Sequence, residues 1–289
     1  MDEDIESSLI LGGKMKKELR IGIIGCGTIG SYVLDSVAAG KVDNAEIAVV
    51  SGRTDNSKGR EKVEKYGIKW VTDFNEMMET GMDVIVEAAS QKALEQYGTS
   101  ILKSGIDLIP ASLGALVDQS LLQSLIDTAA VSGSILHIPS GGIGGLDALQ
   151  AVAGEKVESV TMTSRKPPVA WKNIPAVDRM NLDLDHMETP TVLFEGPARD
   201  CVKEFPQNIN IGAALSLAGI GFDQTQIRIL ADPTVTRNTH EIECKSRAGQ
   251  FKMVLENVPD PDNPKTTLMA CFSVLATLKN VRSHYRVGT

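Results

Sequence analysis

An α/β fold in two parts is predicted by three observations. Apolar, strand-like runs alternate with helical spacing over residues 19–140, the pattern of a parallel sheet covered on both faces. A glycine turn, "GCGTIG", stands between the first such run and the first helix. From residue 141 the texture changes to longer, half-polar strands. Their alternation predicts a second α/β domain with an open, mostly antiparallel sheet.

The elements follow in order. "LRIGII" reads as a strand, and "TIGSYVLDSVAAG" as the helix after the turn. "AEIAVVSGRT" is a second strand that ends near Ser51, and "SKGREKVEKYG" is a short polar helix. "MDVIVEAAS" is a buried strand followed by a helix through Ser104, and "GIDLIPAS" is another strand. Leu121, Leu122, Leu125, Ile126 and Ala129 predict a helix over 119–132. "GSILHIPSGG" reads as a further strand, and "GGIGGLDALQAV" as a glycine joint leading into a helix. "VESVTMTSRKPP" is a long strand, residues 172–190 a polar loop, "TVLFEG" a strand and "ARDCVKEFP" a short helix. "NIGAALSLAGIG" is an apolar helix; "QIRILADP", "HEIECKS" and "QFKMVLENV" are strands; "KTTLMACFSVLATLKNV" is a final apolar helix.

Composition narrows the function. A net charge of −8 and an aromatic content of 4% give no support for nucleic-acid or anionic-membrane partners. No stretch approaches a membrane span. Cys26, Cys201, Cys244 and Cys271 are scattered, which suggests a reducing compartment such as the cytoplasm. Residues 1–18 run from acidic to "KMKK" around a short apolar stretch. That order does not suit a signal peptide, and a mobile tail is expected.

The glycine turn carries the first chemical signal. A strand before it and a helix after it make it a Rossmann-type dinucleotide fingerprint. Gly25 permits the tight turn, Gly27 the approach of a pyrophosphate, and Gly30 close helix packing. Thr28 and Ile29 open the helix whose N–H groups face the phosphates. Ala88, after the third long strand, is expected at the same crevice. An NAD site usually ends its second strand in Asp or Glu, which holds the ribose 2′-OH. Here Ser51, Gly52 and Arg53 stand there. A serine and an arginine suit a 2′-phosphate, so the expectation is NADP or NAD with a tilt to NADP. The alternative for Arg53 is a solvated loop charge. On this reading Gly52→Asp is expected to reverse the tilt.

Gly141, Gly142, Gly144 and Gly145 form the joint. Their N–H groups suit an anion nest for a carboxylate, or the joint is a hinge. Arg165 and Lys166 end a strand, either as carboxylate ligands or as solvated charges. Asn208 and Asn210 precede a helix and either cap it or reach a ligand. His137 reads as structural. His186, beside Asp183 and Asp185, matches no tight ligand set, so no metal is expected. His240 alternates with Ile242 and Cys244 on one strand face. It is either a packed core histidine or an acid/base.

Several segments together resemble the L-aspartate dehydrogenases: "GIIGCGTIG", "DVIVEAASQKAL", "GIDLIPASLGAL", "IPSGGIGGLDAL", "TSRKPP", "VLFEGPARDCVKEFPQNINIGAALSLA", "RILADPTVTRNTHEIE" and "DNPKTTLMACFSVLATLKN". The resemblance implies a dinucleotide-binding domain of residues 19–140 and 264–289, with the last helix packed back on it. Residues 141–263 would carry substrate and dimer contacts. It implies His240 as the catalytic acid/base, and Ala115 with Asn210 or Asn208 as cofactor contacts, Asn210 being favoured. The implied reaction converts L-aspartate to oxaloacetate and ammonia through iminoaspartate, in a homodimer or larger assembly. Two other readings fit less of the chain. One is an oxidoreductase of the same architecture acting on a homoserine- or dihydropicolinate-type substrate. The other is a non-catalytic NADP-binding redox sensor.

Overall fold

The computed structural model describes residues 17–206, 210–261, 263, 266–285 and 287–288. Most of the expected mobile tail therefore lies outside the described residues, and so does Asn208.

The first sheet has the strands β1 (Leu19–Ile24), β2 (Ala45–Ser51), β3 (Lys69–Val71), β4 (Val84–Glu87) and β5 (Asp107–Pro110). All its pairs are parallel and their order is β3-β2-β1-β4-β5. β4 is buried along its whole length, as a strand covered on both faces must be. The covering helices are α1 (Thr28–Ala38), α2 (Arg60–Lys65), α3 (Phe74–Met78), α4 (Gln91–Lys103) and α5 (Gln119–Ser132), with a 3₁₀ turn at Leu113–Val117. The order reverses between β1 and β4, the switch point at which ligands bind in open α/β sheets.

"GSILHIPSGG" is not a strand: only Leu136 bridges to Leu108. Pro139 has no N–H to donate, and the glycines after it gain little from extension. β3 and α3 escape the sequence pattern because three and five residues are too few to display a period.

The second part opens with α6 (Leu146–Ala153) and β6 (Val157–Lys166). A 3₁₀ turn (Pro168–Trp171), the short α7 (Pro175–Asp178), β7 (Thr191–Pro197), α8 (Ala198–Glu204), α9 (Asn210–Ala218), β8 (Gln226–Ala231), β9 (Asn238–Ser246) and β10 (Gly249–Asn257) follow. The sheet order is β10-β9-β6-β8-β7. It is mixed: β6 and β8 run parallel, and the other three pairs are antiparallel. Val160, Met162, Ile227, Ile229, Ile242 and Cys244 from its covered face belong to a large core that also holds residues of α4, α5 and α9. The last helix, α10 (Leu268–Asn280), sets Val274, Leu275 and Leu278 against Val33, Leu34 and Val37 of α1. The chain thus leaves the first sheet, builds the second, and returns. Among the described residues no helix is long and apolar enough to cross a membrane.

Candidate active site

The glycine turn is built for a close ligand. Gly25 has φ +89°, a region that favours glycine, and its N–H donates to the Ser51 carbonyl at 2.8 Å. A Cβ there would lie 2.8 Å from the Ala88 carbonyl oxygen. One at Gly30 would collide with the Gly25 carbonyl, so α1 packs hard on the turn. Gly27 faces open space, and no side chain caps α1. The first-turn N–H groups are therefore left for an anion. This open cradle fits the pyrophosphate of a dinucleotide, which Gly25, Gly27, Thr28 and Ile29 would hold.

Glu87, fully buried at the end of β4, was missed in the sequence. Its carboxylate accepts the N–H groups of Ala89 and Ser90 at 2.8 Å, and the N–H and hydroxyl of Ser112 at 3.2 and 3.1 Å. Burial raises its pKa, while these four donors favour the charged form. The result ties the loop after β4 to the loop after β5, beside the switch point. The only sequence signal was an acid inside an apolar strand.

A cavity of about 140 Å³ lies between the two sheets. Its lining brings together Ile29 of α1, Gly141 and Gly142 of the joint, Lys166 of β6, Asn210 of α9, and His240 of β9. Six of the residues expected at a site from sequence thus meet at one place. Asn238 and Thr267 line it too.

His240 is 3% exposed and its Nδ1 has no hydrogen-bond partner. Burial, helped by the charge of Lys166, lowers its pKa to about 3. It is a neutral imidazole at any ordinary pH, and a buried orphan nitrogen marks a place where a ligand or water belongs. His240 is thus packed with the core and also lines the cleft. Lys166 is 9% exposed, with its ammonium 4.8 Å from the Trp171 ring centroid. Burial lowers its pKa to about 8, so it is still mostly a cation at neutral pH.

Other expected residues sit elsewhere. Arg165 points to the opposite sheet face from Lys166 and pairs with Asp232 at 3.2 Å. Adjacent strand residues cannot share a face, so the two cations do not act together. The Gly141 N–H donates to the Ser273 hydroxyl at 3.0 Å, and Asn257 donates to the Gly142 carbonyl at 2.7 Å. The joint is clamped from α10 and from β10, and the N–H of Gly141 is not available to an anion nest. Ala115 is 3% exposed in the core, whereas Ala111 and Leu113 of the same segment line the cavity. Asn210 accepts the N–H of Gly114 at 3.0 Å and so ties α9 to that segment. His137 bonds Asp107 at 3.0 Å, and His186 bonds Asp183 at 2.9 Å on the exposed loop. Among the described residues no cluster of three metal-ligating side chains occurs.

Ser51 is half-buried at the end of β2; Arg53 is exposed and makes no ion pair among the described residues. Gly52 corrects one expectation. A Cβ there would collide with the Trp70 indole, so Gly52→Asp would displace Trp70 before its charge could act on a cofactor.

A parallel sheet with a glycine cradle at its switch point, and a buried imidazole and ammonium in the adjoining cleft, define a dinucleotide-dependent oxidoreductase. The family described as homoserine dehydrogenase, NAD binding domain, matches residues 25–139; that described as aspartate dehydrogenase, C-terminal, matches residues 147–281. The L-aspartate dehydrogenase of Methanosarcina barkeri is 38% identical, with 94% of this chain and all of the relative covered. That of Methanococcoides burtonii is 39% identical over the same shares. The crystal structure of aspartate dehydrogenase from Thermotoga maritima superposes with a TM-score of 0.73 at 26% identity, covering 94% of this chain and 100% of that one. The chain belongs to the L-aspartate dehydrogenase family.

Proposed function

We propose that this chain is an NAD(P)-dependent L-aspartate dehydrogenase, which interconverts L-aspartate with oxaloacetate and ammonia through iminoaspartate. The observation that carries the reading is the convergence of His240 and Lys166 on the cleft beside the start of α1. The nicotinamide, when bound, supplies or accepts the hydride. The chain's own residues do the rest. Lys166 receives a substrate carboxylate, an interaction made stronger by the dry surroundings. His240 is held neutral, so its imidazole can take a proton from the water that attacks the imine carbon. That proton then passes from His240 to the nitrogen, and as the C–N bond breaks and ammonia departs His240 accepts the hydroxyl proton, leaving the carbonyl of oxaloacetate. Clamping of the joint by Asn257 and Ser273 fixes the two walls relative to each other. The test is oxidation of NADH and NADPH by the purified protein in the presence of oxaloacetate and ammonia. Turnover without either substrate, or none with both, would overturn the reading.

The homoserine- and dihydropicolinate-type alternatives draw nothing from the second part of the chain, where residues 147–281 match the aspartate dehydrogenase description. A redox sensor has no need of an imidazole buried beside an ammonium.

The cofactor preference rests on β2. Ser51 and Arg53 present a hydroxyl and a free cation where an acid would repel a 2′-phosphate. A charge-assisted bond contributes roughly 1.5–3 kcal/mol, or about ten- to a hundredfold in affinity. Arg53→Ala is expected to weaken NADPH selectively and leave NADH nearly unchanged, as measured by fluorescence titration. Ser51→Asp, which places an acid at the end of β2 without a change at Gly52, is expected to favour NADH. Equal losses for both cofactors in Arg53→Ala would show that Arg53 never meets the phosphate.

A homodimer or larger assembly through the second sheet is expected. β10 is an edge strand, and its Val254 is 52% exposed. An edge with apolar residues favours pairing with another chain. Light scattering at micromolar concentration checks this, and a monomer mass would contradict it. The free state of the described cysteines accords with a cytoplasmic enzyme.

A further inference from the structure

β6 and β9 run antiparallel, with Ser164 opposite His240 and Arg165 opposite Thr239. The next step outward sets Lys166 against Asn238. Alternation then places Ser164, Lys166, Asn238 and His240 on one face. Lys166, Asn238 and His240 all line the cleft.

Asn238 is 6% exposed, and its side-chain amide makes no hydrogen bond among the described residues. Across the ladder from it stands Asn257, whose amide is committed to the Gly142 carbonyl. Of these two facing asparagines, one holds the joint and the other is left for the cleft. A buried primary amide has donors and an acceptor to satisfy, and the Nδ1 of His240, two residues along the same face, is likewise orphaned. The two unpartnered polar side chains face one cavity.

We propose that Asn238 is a specificity-determining residue that holds the distal carboxylate of the substrate jointly with Lys166. The proposal rests on the aspartate reading above. A dicarboxylate brings two negative charges, and Lys166 is the one ammonium among the described residues that line the cleft. The Nδ2–H of Asn238 donates to a carboxylate oxygen without adding charge. Its place opposite Lys166 lets both donors meet the same carboxylate. His240 lies about 7 Å further along the strand, at the spacing of two residues. That order matches a substrate whose α-carbon reacts at His240 while its far end is gripped at the ladder's edge.

The test uses the full chain with its cofactor. Asn238→Ala is expected to raise KM for oxaloacetate about tenfold, and Asn238→Asp about a hundredfold or more, because it sets one carboxylate against another. The loss falls on KM rather than kcat, and cofactor affinity stays within about twofold in both. Asn238→Asp also narrows the preference for aspartate over asparagine, whose distal group is uncharged. Titration of the holoenzyme with succinate separates the two readings. If the wild-type chain does not turn over oxaloacetate but binds succinate, and the variants do not, the aspartate reading fails and the carboxylate site stands. If turnover is present and both variants keep KM for oxaloacetate within about twofold, the proposal is overturned. Should Asn238→Asp fail to fold by circular dichroism, Asn238→Ala alone decides.

Discussion

His240→Ala is expected to lower turnover by about a hundredfold or more while cofactor affinity stays at the wild-type level, the range for removal of a general acid/base. The size of the effect follows from the cleft's composition. Lys166 is the other titratable side chain that lines it among the described residues, and a mostly protonated ammonium cannot accept the water's proton at neutral pH. Because burial holds His240 neutral in the free enzyme, with a pKa near 3, its lone pair is free across the ordinary pH range, and a substrate carboxylate on Lys166 would raise its basicity by offsetting that charge. Turnover in the wild type is therefore not expected to show an acidic limb from His240 in the free enzyme between pH 5 and 7. His240→Asn is the companion variant, since it keeps a polar side chain in the space. Near-wild-type turnover in either variant, with native circular dichroism, would remove His240 from the mechanism.

The second large effect is expected at Lys166. Lys166→Met should weaken succinate binding to the holoenzyme by roughly a hundredfold, because truncating one partner of a buried charge pair costs about 2–5 kcal/mol. The pH dependence has a definite sign. Lys166 has its pKa lowered to about 8 by burial, so it is charged below that pH and neutral above it. Succinate affinity should be flat below about pH 8 and fall about tenfold for each unit above it, as the charged fraction falls. Succinate has no group titrating in that window. Lys166→Met should bind weakly at every pH, with no break near 8. A break that survives in Lys166→Met would belong to another group, and Lys166 would not be the carboxylate's partner.

Much of this was legible in the chain itself. The parallel sheet followed from buried apolar runs alternating with helical spacing, because each strand covered on both faces must be apolar throughout. The cradle followed from the spacing of Gly25, Gly27 and Gly30: a Cβ is excluded by backbone conformation and close contact at Gly25 and by the Gly25 carbonyl at Gly30, while Gly27 leaves open space beside the helix start. The covered face of β9 was readable from the alternation of His240, Ile242 and Cys244, since a strand's period of two is local. The identity of neighbours across strands was not. Arg165 and Lys166 are adjacent in sequence, yet only the fold shows which one faces the cleft. The answer depends on which side of the second sheet is covered, and residues far away in the chain supply that cover. The same holds for Asn238 and Glu87. An asparagine in a polar motif carries no local sign of burial, and the one sign for Glu87 is its place after three apolar residues. The N–H of Gly141 is taken by Ser273, which is 132 positions away, so no local pattern could reveal that this N–H is committed to a clamp on the joint. Sequence determined the longer elements, the dinucleotide turn and the histidine's face, because these depend on short-range geometry. Tertiary structure decided which polar groups are buried, paired or left for a ligand, because desolvation is set by the whole surroundings of a group and not by its place in the chain.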